Sequence, residues 1–167
     1  MEIKSNLHLP FRLIDVNTGN DSFVFEFKEF DKGQTDFSIK NGGLTGKFGI
    51  IYRCIGIECQ FECDITIGNV YYFYIDLENA YDIQFGKNIK VILKDYSDVD
   101  NRTCLTFEFD KTGHCIINGY FKNKFSQYMS GVEFSIEIDQ TYIAKMLVSF
   151  EMFFNELKRI QGDYNFM

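Results

Sequence analysis

The most regular pattern of hydrophobic and polar positions lies between residues 132 and 160. Hydrophobic and polar side chains alternate from Val132 to Ile138, which predicts a strand with one buried face. Beyond Asp139 the hydrophobic residues recur every three or four positions, which predicts a long amphipathic helix. This helical stripe consists of Ile143, Met146, Leu147, Phe150, Phe153, Phe154, Leu157 and Ile160. A strand that leads directly into a long helix is therefore the first predicted unit of the fold.

The junction of this strand and helix has the features of a helix start. The carboxylate of Asp139 can accept hydrogen bonds from free amides of the first turn, and the helix dipole favours a negative charge there. We expect Gln140 and Thr141 to bond the backbone at the turn and Tyr142 to pack against it. These four residues are therefore predicted to be a structural junction.

Shorter alternating runs predict strands along most of the remaining chain. The predicted strands cover residues 11–16, 23–28, 36–40, 46–54, 55–67, 70–75, 88–94, 104–109 and 114–121. A change of parity at Gly56 indicates either a bulge in one long bent strand or the tight turn of a hairpin. A bulge is also expected near residues 28–29, because Phe30 has the opposite parity to Phe27. Asp76 is a candidate cap for a short helix over residues 77–83.

The composition favours a sheet-rich globular protein. The chain has 167 residues, 46% of them hydrophobic, with 19 Phe, 10 Tyr and only two Ala, whereas helical proteins use more alanine. This length suits a single domain over residues 1–167, and no internal repeat is visible. We predict an α+β fold: a curved, mostly antiparallel sheet of eight or nine strands, covered by the long C-terminal helix, with one short middle helix.

The charge and the sequence of the first residues suggest a compartment and exclude some partners. A net charge of −7 argues against nonspecific binding to nucleic acid or to an anionic membrane surface. No hydrophobic run approaches the length of a membrane span, and MEIKSNLHLPF does not resemble a signal peptide. We therefore expect a cytoplasmic protein. The five cysteines include no CxxC pair, and Cys59 and Cys63 are interpreted as small core residues.

No catalytic or cofactor motif is present in the sequence, so we predict no enzyme activity, no metal and no cofactor. Acidic residues alternate with hydrophobic ones on two predicted strands, which indicates either solvated faces or a negative surface for a basic partner. On the second interpretation the candidate partner-binding residues are Glu58, Glu62, Asp64, Glu133 and Glu137.

The last third of the chain contains the turn Thr112-Gly113, the strand 115–120, the strand 132–138 and the junction Asp139-Gln140-Thr141-Tyr142-Ile143. With these features, residues 104–157 resemble the C-terminal half of WapI-type bacterial immunity proteins. The resemblance implies a cytoplasmic binding protein that neutralises a cognate toxin, often a basic nuclease, without catalytic residues of its own. An acidic surface that occludes the toxin is the predicted mechanism.

Two other functions remain open at this point. One is a small-ligand-binding or structural module in which the Phe- and Tyr-rich sheet forms a hydrophobic cup. The other is a hydrolase that uses a pair of carboxylates, because strands can bring distant acidic residues within reach of one bond.

Overall fold

Two four-stranded antiparallel sheets and two helices make up the described part of the chain. The computed structural model describes residues 6–30, 43–83, 86–94, 103–122 and 131–161. The first sheet contains β1 (Phe11–Asn17), β2 (Ser22–Phe30), β3 (Thr45–Cys54) and β4 (Ile57–Thr66), and is followed by α1 (Ile67–Ile83). The second contains β5 (Ile89–Lys94), β6 (Thr103–Phe109), β7 (Cys115–Lys122) and β8 (Gly131–Ile138), and is followed by α2 (Gln140–Gln161).

Within each sheet, strands that follow one another in sequence are also neighbours in space. Gly56, at a φ of 76°, lies in the turn between β3 and β4, and Cys54 pairs with Ile57 across it. The change of parity at Gly56 is therefore the turn of a hairpin. The predicted bulge is confirmed, because the register of β2 against β3 shifts between Phe27 and Glu29.

The two halves of the chain share one order, four strands followed by a helix, and they exchange their helices. Helix α1 packs against β5 at the edge of the second sheet, and α2 packs against β1 at the edge of the first. Each half thus supplies the helix that covers part of the other half. This similarity of the two halves is not visible in the residues themselves.

Aromatic side chains fill the space between the sheets and around the helices. Phe134 of β8 contacts Phe23 and Tyr52 of the first sheet, with ring centroids 5.0 Å and 4.4 Å away. Phe153 of α2 lies 5.0 Å from Phe27 of β2, and Phe73 of α1 lies 5.4 Å from Phe107 of β6. One continuous core of buried side chains therefore contacts both sheets and both helices.

Two predictions about the architecture are wrong. The strands form two sheets of four and not one curved sheet of eight or nine. The predicted strand at 70–75 and the short helix at 77–83 are a single helix, α1. An unbroken hydrophobic run is compatible with a strand or a helix. Here the burial of Val70, Phe73 and Leu77 on one helical face outweighs the strand preference of the aromatic residues.

The α+β class, the antiparallel pairing and the unit formed by β8 and α2 are confirmed. The predicted strand at 36–40 lies outside the described residues. Neither described helix is long and hydrophobic enough to cross a membrane.

Candidate binding site

The outer face of the second sheet carries a group of small polar side chains. Alternation along β6, β7 and β8 directs the hydrophobic residues inward to the core and the polar residues outward. The register then aligns the polar residues in two rows across three strands. One row is Cys104, Tyr120 and Glu133, and the other is Thr106, Asn118 and Ser135.

These two rows line an open depression of about 340 Å³, called the polar depression below. Gly119 and Phe134 complete its lining. Thr106 is only 7% exposed although it lies on the outer face, which places its hydroxyl at the base of the depression. The side chains of Ile92 and Ile116 are exposed nearby on the same face.

The hydrogen bonds within the polar depression orient its central amide. The hydroxyl of Ser135 donates to Oδ1 of Asn118 at 2.8 Å. Asn118 lies between Ser135 and Thr106 in its row, and within the described residues no hydrogen bond involves its Nδ2 group. On β6, the Cys104 thiol and the Thr106 hydroxyl lie 3.7 Å apart.

The lining of the polar depression includes one carboxylate, that of Glu133. Within the described residues no ion pair or hydrogen bond involves this carboxylate. Lys122 lies on the same strand as Tyr120, and its Nζ is 5.3 Å from the centre of the Tyr120 ring. The polar depression therefore presents hydroxyl, thiol and amide donors beside one negative charge.

The predicted acidic residues do not form one surface. Glu58, Glu62 and Asp64 lie on the outer face of the first sheet, whereas Glu133 and Glu137 lie on the outer face of the second. This separation follows from the division into two sheets. The five residues therefore lie on two separate faces, one on each sheet.

The acidic residues of the first sheet are also partly neutralised by its own basic residues. Arg53 Nε lies 2.6 Å from Glu58 Oε2, and its hydrogen bond lowers the pKa of the Glu58 carboxyl. Lys28 Nζ lies 2.7 Å from Glu62 Oε1. Both pairs are exposed to solvent and have little effect on stability, but they reduce the local negative charge.

Asp139 caps the first turn of α2. The hydroxyl of Thr141 bonds to the Asp139 side chain and not to the backbone, and within the described residues Gln140 makes no side-chain hydrogen bond. Asp139 accepts hydrogen bonds from the Thr141 amide, at 2.8 Å, and from the Thr141 hydroxyl, and these bonds lower the pKa of its carboxyl. The Tyr142 hydroxyl donates to the carbonyl of Asn17 and so ties α2 to the end of β1.

Two further openings adjoin this junction, one of about 200 Å³ and one of about 360 Å³. His114 and Asp139 line both openings. The polar groups of Asp139 and Tyr142 in these linings are already used in the bonds of the junction. No group of three or more His, Cys, Asp or Glu residues in the described ranges could hold a metal ion.

The acidic pattern of the sequence pointed to Glu133 but not to the residues that surround it. These are Cys104, Thr106, Asn118, Tyr120 and Ser135. The sequence pattern that could have revealed them is a small polar residue at every second position of three successive strands. This pattern identifies a site only after the strands are aligned, because Cys104 and Ser135 are 31 positions apart in the sequence.

No family model and no curated protein matches the sequence. Among solved structures, the plant transcriptional regulator PBF-2 is 9% identical, with 92% of each chain covered and a TM-score of 0.47. WHY3 from Arabidopsis thaliana is 10% identical, with 94% of this chain and 92% of that chain covered and a TM-score of 0.47.

The prediction of toxin neutralisation is corrected here, together with the toxin partner and the exclusion of nucleic acid. The two solved structures above are described as a plant transcriptional regulator and as WHY3, and neither description names an immunity protein. The ion pairs of Glu58 and Glu62 give a physical reason to abandon the acidic occluding surface as well. Similarity this distant supplies no replacement function. The resemblance of residues 104–157 to the WapI-type family stays a prediction.

Proposed function

We propose that this protein is a non-enzymatic binding protein that takes a small, hydroxyl-rich, uncharged or cationic ligand in the polar depression. The observation that carries the proposal is the alignment of Thr106, Asn118 and Ser135 in one cross-strand row beside the carboxylate of Glu133. Ligand sites typically combine a concave shape with a few convergent polar groups.

The chemistry of the lining determines the ligand class. Asn118 offers two amide hydrogens, and Thr106 and Tyr120 offer hydroxyls, so the ligand needs several acceptors. Glu133 accepts hydrogen bonds and disfavours an anion, so the ligand also needs donors and no negative charge. The ring of Tyr120 adds an apolar surface beside a hydroxyl. A single sugar ring with neutral or amino substituents meets all of these requirements.

The volume of the depression supports a ligand of one ring, and its single carboxylate supports binding without hydrolysis. Its volume of about 340 Å³ is at the low end of the roughly 300–1,000 Å³ typical of ligand pockets, and suits one ring. A hydrolase of the paired-carboxylate type needs two acidic groups, whereas this lining contributes Glu133 alone. The hydrophobic cup considered from the sequence is not proposed, because the helices and the opposite sheet cover the aromatic faces.

Three ligands with the same ring and different charge test this proposal. We expect glucosamine to bind more tightly than glucose, and glucose more tightly than glucose 6-phosphate, because Glu133 attracts a cation and repels an anion. Isothermal titration calorimetry measures the three affinities. Asn118→Ala is expected to weaken all three, since it removes the central amide.

The substitution Glu133→Gln removes the negative charge of the site and keeps its shape. It should abolish the preference for glucosamine over glucose while leaving glucose binding within a few fold. Glu108→Gln is the matched control, because Glu108 lies on the same outer face, outside the depression, in an ion pair with Lys90 at 3.0 Å. Undetectable binding of all three sugars, or an affinity order independent of Glu133, would contradict the proposed function.

A further inference from the structure

Strand β8 forms one edge of the second sheet. Its register with β7 is regular from Gly131 to Ile138, and the order of the sheet ends at β8. Within the described residues no other strand pairs with its second side, so backbone amides and carbonyls of an eight-residue strand lack strand partners there. Such an edge is a template for another extended chain.

Two of the other edge strands, β1 and β5, carry features that discourage such pairing. Strand β1 has an irregular register between Arg12 and Ile14 and packs against α2. Strand β5 has only six residues, includes Lys90, and packs against α1. Bulges, short length, lysines and covering helices are the usual means of protecting an edge. Strand β8 contains no proline or lysine and has no bulge in its pairing with β7.

The outer face of β8 presents Glu133, Ser135 and Glu137 in sequence along the strand. Within the described residues neither glutamate is in an ion pair. Strand β4, the other edge of the first sheet, differs in this respect, because its Glu58 and Glu62 are paired with Arg53 and Lys28. The edge of β8 therefore combines unpaired backbone groups with two available negative charges four residues apart.

The same charges disfavour a second copy of the chain as the occupant. An antiparallel pairing of β8 with itself, centred on Ser135, places Glu133 of each copy opposite Glu137 of the other. Like charges directly opposite one another destabilise a pair of strands. If the two copies pair with a register shifted by two residues, each glutamate lies diagonally across from a glutamate of the other copy. A change of register therefore does not remove the repulsion.

We propose that β8 binds an extended polypeptide segment of a partner, which adds to the second sheet as a fifth strand. Cross-strand charge pairing requires basic side chains opposite Glu133 and Glu137, with a small or polar residue opposite Ser135. The segment is therefore recognised by backbone pairing together with two basic residues four positions apart. This inference concerns the edge of β8, and it shares Glu133 and Ser135 with the lining of the polar depression. Its peptide tests do not require a ligand in the depression.

A set of matched peptides tests the proposal on the full chain. The probe is the capped peptide Thr-Lys-Val-Thr-Val-Lys-Thr, and the comparison peptide has Glu in place of both Lys residues. We expect the Glu peptide to bind about tenfold more weakly, measured by calorimetry, because two attractive cross-strand pairs become repulsive. Failure of the Lys peptide to bind, or equal binding of the two peptides, would overturn the proposal.

Backbone methylation distinguishes strand addition from simple charge attraction. In an added strand, every second backbone amide points to β8 and the others point away. N-methylation of the amides that point to β8 should abolish binding, and N-methylation of the others should preserve it. Binding that survives methylation of either set would show a purely electrostatic contact and would overturn the strand geometry.

Charge reversal on β8 provides the complementary test. The double variant Glu133→Lys with Glu137→Lys should prefer the Glu peptide, whereas the control Asp76→Lys with Glu151→Lys, on exposed helix positions, should still prefer the Lys peptide. Glu137→Lys alone makes β8 self-complementary, so sedimentation velocity should detect dimers of this variant and not of the double variant. An unchanged peptide preference in the double variant, or no dimer of Glu137→Lys, would contradict the charge pairing.

Discussion

Gly119 lies on the inner face of β7, and the ring of Phe134 occupies the space above it. A Cβ atom at this position would lie 2.2 Å from two atoms of that ring. Because Phe134 also contacts Phe23 and Tyr52 across the two sheets, the ring has little freedom to move. The absence of a side chain at residue 119 therefore permits the contact between the sheets.

Gly119→Ala should accordingly destabilise the fold, even though alanine normally suits a strand better than glycine. Overpacking of a filled core costs about 1–3 kcal/mol, which urea unfolding followed by circular dichroism can measure. Phe134→Leu in the Gly119→Ala background should recover part of the loss, because the smaller side chain relieves the clash. A Gly119→Ala variant as stable as the wild type would show that the ring does not limit this position.

Two aspartates should make the stability depend on pH. Asp110 accepts hydrogen bonds from the Thr112 hydroxyl and from the amides of Thr112 and His114, and these bonds lower the pKa of its carboxyl. Asp139 accepts from Thr141, which lowers the pKa of its carboxyl in the same way. A folded pKa below the unfolded value of about 3.9 means that this stabilisation is present above that pH and lost as the pH falls through the folded pKa.

The urea midpoint of the wild type should therefore fall as the pH is lowered from about 5 to about 2. The double variant Asp110→Asn with Asp139→Asn should lose less of its midpoint over this range, because asparagine still accepts a hydrogen bond and does not titrate. Equal losses in the two proteins would show that these carboxyls titrate normally in the folded state.

At the scale of elements, α1 and α2 illustrate which patterns can be interpreted from the sequence. In α2 the hydrophobic residues are separated by polar ones at a helical spacing, so the helix and its buried face were predictable. In α1 the run Val70 to Ile75 is hydrophobic throughout, and neither helix nor strand periodicity is visible. The contacts of Tyr71 and Tyr74 with Phe154 of α2 arise only after the chain has folded.

The two faces of α2 should respond very differently to substitution. Phe150 is fully buried and its ring lies 5.9 Å from that of Phe73 and 5.7 Å from that of Tyr74, whereas Val148 is 56% exposed. Phe150→Ala should cost about 3–5 kcal/mol of unfolding free energy. Val148→Ala is the matched control on the same helix and should change stability by no more than about 0.5 kcal/mol. Similar losses in the two variants would mean that α2 does not pack on α1 as described.

Neither the division into two sheets nor the site could be derived from a single sequence. Nothing in the residues shows that β4 and β5 belong to different sheets, because that depends on α1 crossing to the second half. The polar depression depends on the register of β6, β7 and β8, which brings Thr106, Asn118 and Ser135 side by side. The hydrophobic alternation of each strand was predictable because it is local; the alignment of one strand with another is not.

At the scale of the whole molecule, the exchanged helices should make the two halves unfold together. Because α1 covers part of the second half and α2 part of the first, neither half keeps its core without the other. Far-ultraviolet circular dichroism, which follows the backbone, and tyrosine fluorescence should give the same urea midpoint. Two separated transitions would show that the halves are independent units.

The outer face of the second sheet is the proposed binding surface of this protein. The most direct test is the map of backbone amide shifts in an ¹⁵N spectrum of the full chain during titration with glucosamine. The predicted result is a set of saturable shifts confined to residues 104–106, 118–120 and 133–135, and absent in the Asn118→Ala variant. Shifts centred on Glu58, Glu62 and Asp64 of the first sheet, or no shifts at all, would contradict the claim.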